Sequence, residues 1–310
     1  MSMTYFAPGK LMISGEYVVL NGATAFAVPV RFGQSLQVLP YTYSGHKWQS
    51  YEPSGLWFEA VFSKNLNRIE QTTDTQKALL LQKLLQYIRL QKPDLWHENL
   101  QFVTRLNFDR NWGLGSSSSL LVLLHQWSGV DPFQLLDISF GGSGYDIAVA
   151  IENKPIWYRL SRKKPENKDF YSYRNKFSVW KTTFFNPSFS DKIFFVYRNR
   201  KQNSRHEISK YRQTLPSAQF LSEIDTISRK LPAVTDLQDF EGLIKRHEQI
   251  ISDILQRPAL QTELFNDFSG VVKSLGAWGG DFFMAIGNSV PEYFHQKGFH
   301  TVLSFQQMIL

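Results

Sequence analysis

Asn111-Trp-Gly-Leu-Gly-Ser-Ser-Ser-Ser119 is the stretch on which the reading of the fold turns. Upstream of it, Leu100-Gln-Phe-Val-Thr-Arg-Leu-Asn-Phe108 alternates in strand fashion, and downstream an apolar helix runs to about Trp127. The glycines at 113 and 115 carry no Cβ that would hold an anion away from the backbone. The serines open the helix, are able to cap its free N–H groups, and bring hydroxyls to where a phosphate or Mg²⁺ could sit. A helix N-terminus attracts negative charge without a basic side chain. No Gly-Lys-Ser/Thr follows, so this is not a Walker A loop, and the Gly-x-Gly-x-x-Gly dinucleotide fingerprint is also absent. Taken alone the segment supports two readings, an ordinary capped helix after a tight turn and an anion-binding loop.

Working outward, residues 1–40 read as β structure around Gly15 and the Asn21-Gly22 turn pair. Residues 75–91 read as a helix, with Ala78, Leu81, Leu84, Leu85 and Ile88 at helical spacing before Lys92-Pro93 stops it. Residues 151–200 look strand-rich. Beyond 204 the pattern predicts helices over 217–230, 236–256 and 259–275, then a glycine loop at 276–280 and the strand Phe282-Phe-Met-Ala-Ile286. Repeats and low-complexity tracts are absent, and a domain boundary is expected between 150 and 200.

Two further segments accompany the serine loop. They are Ala7-Pro-Gly-Lys-Leu-Met-Ile-Ser-Gly-Glu-Tyr-Val-Val-Leu-Asn-Gly22 and Lys273-Ser-Leu-Gly-Ala-Trp-Gly-Gly-Asp281. Together the three resemble the signature motifs of the GHMP kinase superfamily, whose members include galactokinase, homoserine kinase, mevalonate kinase and phosphomevalonate kinase. A fourth, Gly141-Gly-Ser-Gly-Tyr-Asp-Ile-Ala148, looks like the family's Ser-Gly-x-Asp stretch. The four occur in family order across residues 7–281.

The resemblance implies a two-domain α+β chain. An N-terminal domain like ribosomal protein S5 domain 2 (residues 1–165) would be followed by a ferredoxin-like C-terminal domain (166–310), with ATP in the cleft between them. It implies that Gly113, Leu114, Gly115, Ser116 and Ser118 wrap the triphosphate, that Ser117 binds Mg²⁺, and that Asp146 orients or deprotonates the acceptor hydroxyl. Lys10 would lower the Asp146 pKa and stabilise developing charge. Gly276, Gly279 and Gly280 would close the phosphate site, while Tyr17, Ser143 and Gly144 would contact substrate. Glu16 reads as structural.

The sequence departs from the family pattern in three places. Only about 26 residues separate Ser119 from Asp146, and the acids between them, Asp131 and Asp137, align with no family Mg²⁺ ligand. Mg²⁺ would then rest on Ser117, phosphates and water, which suits a cation that keeps several waters. Asp109-Arg-Asn-Trp112 stands where a proline usually precedes the loop, and Trp278 replaces a small residue.

Gly-Glu-Tyr17 and Gly-Gly-Asp281 lean toward phosphomevalonate kinases, so the expected reaction is transfer of the ATP γ-phosphoryl group to mevalonate or phosphomevalonate. A kinase for another small alcohol (a sugar or homoserine) and a non-catalytic nucleotide-binding or regulatory protein on the same fold are the alternatives.

Composition is compatible with these expectations. The 310 residues are 43% hydrophobic and 20% charged, which excludes a disordered chain, and the absence of Cys excludes disulfide scaffolds, thiolate metal sites and cysteine nucleophiles. The net charge of +7 is local: residues 159–212 hold 15 basic and 4 acidic side chains, so the remainder is mildly acidic. Trp157, Tyr158, Phe170, Tyr171, Tyr173, Phe177, Trp180, Phe184 and Phe185 interleave with these cations. The segment reads as a solvated rim of strands or as a surface for an anionic metabolite or nucleotide. Nucleic acid is not expected, because no recognition motif accompanies the patch. No signal peptide or membrane span is visible, so a cytoplasmic location is expected. The 7 His show no metal-ligand spacing, and His295 and His300 are expected at the surface.

Overall fold

A computed structural model describes residues 3–310 apart from 162, 164–171, 174, 175, 201–206, 208–210, 212, 277 and 279. The chain divides into two compact units, and neither is one continuous stretch.

The first unit contains Met1–Gly9, Phe32–Arg110 and Leu114–Ile151. Its strands are the first part of β1 (Thr4–Ser14), the second part of β2 (Ala25–Pro40), β3 (His46–Glu52), β4 (Gly55–Phe62), β5 (Ile69–Thr72) and β6 (Leu100–Leu106). They lie in the order β5-β4-β3-β6-β2, with β1 also paired to β2. The β3–β6 pair is parallel and the other registered pairs are antiparallel.

Period-two burial shows why these segments are strands. In β3, His46, Trp48 and Ser50 turn inward, and Trp48 stacks on Phe102 of β6 at 5.1 Å. The helices are α1 (Thr75–Gln91), α2 (Ser116–Ser128), α3 (Pro132–Ile138) and α4 (Tyr145–Glu152). Asp74 caps α1 by accepting from the Lys77 amide, and the five apolar residues at helical spacing are buried.

The second unit contains Lys10–Arg31, Asn111–Gly113 and Glu152–Leu310. Ala25–Ala27 of β2 pair with Ile156–Tyr158 of β7 (Ile156–Ser161), which is followed by β8 (Ser172–Tyr173) and β9 (Lys176–Thr182). A separate antiparallel sheet takes the order β11-β12-β10-β13, from β10 (Ile193–Tyr197), β11 (Val271–Ser274), β12 (Phe282–Ile286) and β13 (Val302–Ser304). Its helices are α5 (Ala218–Lys230), α6 (Leu237–Leu255), α7 (Leu260–Leu264), α8 (Val290–Gln296) and α9 (Phe305–Met308). Counted in chain order the strands run 2-3-1-4, the ferredoxin-like arrangement. Phe265, Phe268, Phe283 and Phe294 fill a core cluster on this sheet.

One expected element is corrected. The helix expected over 259–275 ends at Leu264, and Val271–Ser274 form β11 instead. All four of these residues are buried and pair with Phe283–Ile286. A short apolar run of that kind fits a buried strand as well as a helix, and the Gln261 side chain ties the short helix to that strand by bonding the Gly270 carbonyl (2.9 Å) and the Val272 amide (2.9 Å). Of the basic segment 159–212, Phe170, Tyr171 and many of the cations lie outside the described residues. His295 and His300 are exposed.

Candidate active site

The serine loop is entered through a short turn, Arg110–Trp112. Trp112 meets Phe282 edge-on at 5.6 Å, and the Tyr197 hydroxyl donates to the Asn111 carbonyl at 3.4 Å. Gly113 follows with φ +68°, and a Cβ at that position would lie 1.7 Å from a carboxylate oxygen of Asp281. Only glycine fits, because the acid packs directly against its backbone. Lys10 Nζ donates to the Gly113 carbonyl at 3.4 Å, so Lys10, Gly113 and Asp281 meet within the second unit.

Leu114 is buried and anchors the loop in the first unit. Gly115 takes φ +91° at the N-cap of α2 and supplies no side-chain cap. The four serines then divide. Ser118 Oγ donates to the Gly115 carbonyl (2.9 Å), and Ser119 Oγ reaches Gln34 (3.0 Å) and the Ser116 carbonyl (3.1 Å). Ser116 and the exposed Ser117 keep hydroxyls with no partner among the described residues. The result is an uncapped helix start with two spare hydroxyls, the chemistry that oxyanions bind.

In the same unit Gly144 (φ +84°) leads into α4, and Asp146 lies in its first turn, half-buried, with Oδ1 accepting from the Ile147 amide at 3.1 Å. Ser143 is also half-buried, and Gly144 is buried. Asp131 is occupied as the cap of α3, accepting from the Phe133 amide at 2.9 Å. Among the described residues no group of three or more His, Asp or Glu side chains is arranged to hold a metal.

Behind the C-terminal glycine loop the second unit buries a cluster of charges. Glu16 Oε1 receives Lys273 Nζ at 2.6 Å, and Lys273 also donates to the Ser274 carbonyl at 2.7 Å. The Ser274 amide donates to Glu248 at 3.1 Å, and the Gly15 amide to His247 Nε2 at 2.9 Å. Because Nε2 accepts, His247 is neutral with its proton on Nδ1, and its 3.3 Å approach to Glu16 is no ion pair. Burial, and secondarily Lys273, hold the His247 pKa well below its usual value. Burial raises Glu16 against the pull of Lys273, and raises Glu248 to about 7.

These shifts predict a pH dependence. A carboxyl whose folded pKa exceeds its unfolded value binds its proton more tightly when folded, so its contribution to stability falls as pH rises between the two values. Glu248→Gln removes that penalty. From pH 5 to 7.5 the variant should gain about 2 kcal/mol relative to the parent chain. The opposite, stabilising trend from the lowered His247 and His46 is common to both proteins and cancels in the comparison. Urea titrations of the two proteins across that range measure the difference, and parallel curves would rule it out.

No protein-family profile matches the chain, and no curated relative matches it. Solved structures do. Streptococcus pneumoniae phosphomevalonate kinase in complex with phosphomevalonate and AMPPNP is similar at TM-score 0.68 and 17% identity, over 97% of this chain and 99% of that one. L. major mevalonate kinase with R-mevalonate is similar at TM-score 0.64 and 16% identity, over 94% and 89%. Lactococcus lactis galactokinase with galactose is similar at 0.58 and 13%, over 96% and 88%. The fold is that of the GHMP kinases.

On this GHMP kinase fold, Lys10, Tyr17, Gly113, Gly276 and Gly280 fall in the second unit, while Leu114–Ser118, Ser143, Gly144 and Asp146 fall in the first. Gly279 lies outside the described residues. Two features escaped the sequence reading: Asp281 against the loop glycine, and the buried set of Lys273, His247 and Glu248. An acid directly after a glycine pair signalled the first. Nothing local signalled the second, since His247 and Glu248 sit in a helix rich in charge. Among the described residues no helix is long and apolar enough to cross a membrane.

Proposed function

We propose that the chain is an ATP-dependent kinase that transfers the γ-phosphoryl group to a small anionic alcohol, with mevalonate and phosphomevalonate the first acceptors to test. The observation that carries this reading is the uncapped start of α2, reached through two positive-φ glycines and bearing the unpartnered Ser116 and Ser117 hydroxyls. The fold shared with kinases of small alcohols supports it, and the excess of cations in 159–212 supports an anionic acceptor. We assign the activity to the cytoplasm, where ATP is available and a chain without Cys is at no disadvantage.

In this reading Gly113, Leu114, Gly115, Ser116 and Ser118 hold the triphosphate through backbone N–H groups and hydroxyls, and Ser117 takes Mg²⁺. When bound, the metal neutralises phosphate charge. Asp146 orients the acceptor hydroxyl and takes its proton, Lys10 stabilises developing negative charge, and Ser143 and Gly144 contact the acceptor. Gly276, Gly279 and Gly280 allow the backbone to approach the phosphates. Phosphoryl transfer has a loose transition state, so positioning and charge supply most of the acceleration.

The test is ADP release with ATP, Mg²⁺ and a panel of mevalonate, phosphomevalonate, homoserine and galactose. Stimulation by one acceptor is the expected result. The second reading, a non-catalytic nucleotide-binding protein, is favoured by the Asp281 carboxylate, which sets negative charge beside the loop. Mg²⁺-dependent ATP binding without turnover on any acceptor would select it.

A further inference from the structure

At Tyr17 the backbone takes φ 61° and ψ −54°, a combination that a residue with a side chain rarely adopts. Strain of this kind persists only where surrounding contacts enforce it. Here they are identifiable. The Tyr17 side chain is buried, its ring lies 5.1 Å from that of Tyr211, and its hydroxyl accepts from the Trp278 backbone amide at 2.5 Å. Glu16, one residue earlier, holds Lys273 at 2.6 Å, and Gly15, one residue before that, donates to His247. Three consecutive residues directly after β1 thus grip the strand leading into the C-terminal glycine loop, the helix behind it, and the loop itself.

We propose that Tyr17 is a positioning residue for the C-terminal glycine loop: its strained backbone presents the hydroxyl to the Trp278 amide, and the Glu16–Lys273 pair fixes the strand from which the loop departs. Tyr17 then acts on nucleotide through the loop instead of touching the acceptor. The inference rests on reading 276–280 as a phosphate-facing loop, but the tether itself is measurable without any ligand.

Tyr17→Phe keeps the ring and removes the hydroxyl to which the Trp278 amide donates. Amide hydrogen exchange of the peptide spanning 274–280 should quicken by about 5–10-fold, the factor expected for one lost hydrogen bond. Tyr211→Phe, which loses only the bond to Asn21, should leave that peptide unchanged. Unchanged exchange in Tyr17→Phe, or equal acceleration in both variants, would overturn the tether.

In the assay above, Tyr17→Phe should raise the KM for ATP several-fold, with kcat and the acceptor KM held. A rise confined to the acceptor KM would mean that Tyr17 contacts the acceptor, and would overturn the proposal. If the parent chain binds no Mg²⁺·AMPPNP, the kinase reading falls, and the exchange comparison still decides the tether.

Discussion

Asp146→Asn should cut phosphoryl transfer by about 10²–10⁴-fold, the range a single positioned acid–base group supplies, while leaving nucleotide affinity within about twofold. The substitution keeps the shape of the side chain and its place in the first turn of α4, where Asp146 Oδ1 meets the Ile147 amide. It removes the negative charge and the capacity to accept a proton. The stability cost is small, about 0.3–1 kcal/mol for losing a charge at the positive end of a helix. Turnover measured by ADP release and nucleotide affinity measured by calorimetry would therefore separate. Turnover at the parent rate would remove Asp146 from the chemistry, and a parallel loss of nucleotide binding would relocate it to the phosphate site.

The largest stability effect is expected from Lys273→Met. Lys273 is 1% exposed and its partner Glu16 4%, and no solvent replaces the ammonium once it is gone. Removing one member of a buried pair leaves the other uncompensated and costs about 3–5 kcal/mol. That corresponds to a fall in Tm on the order of 10 °C. The Glu16 carboxylate has one other escape, protonation, toward which burial already pushes it. Accordingly, the double variant Glu16→Gln/Lys273→Met should recover part of the loss, the non-additivity expected of residues in direct contact. Thermal and urea denaturation of the three variants measures it. A single-variant loss below about 1 kcal/mol would show the pair to be solvated.

Elements governed by local rules were legible before the structure. The first helix declares itself through five apolar positions at helical spacing and Lys92-Pro93, and its observed bounds match the expectation. The serine loop and the helix it opens follow the same logic, because turn glycines and first-turn serines are short-range signals. The expected ferredoxin-like half is borne out by strand order. Local patterning failed at 265–275, where the buried run at 271–275 carries no period and the choice fell to pairing with β12. At the candidate site, residue types in a motif were readable while partners were not. Tyr17 meets Trp278 across 261 positions, and Lys273 meets Glu16 across 257. No spacing rule spans such distances, so the burial of that cluster and the hold on the glycine loop are properties of the folded chain alone.

The second unit's use of Lys10–Arg31 together with Glu152–Leu310 has a consequence for biosynthesis. On the ribosome the Gly15 amide emerges 232 residues ahead of His247, its acceptor. At roughly 5–20 residues per second the delay lasts tens of seconds. Throughout it, the groups that follow β1 wait without their later partners, the condition under which nascent chains associate wrongly or recruit chaperones.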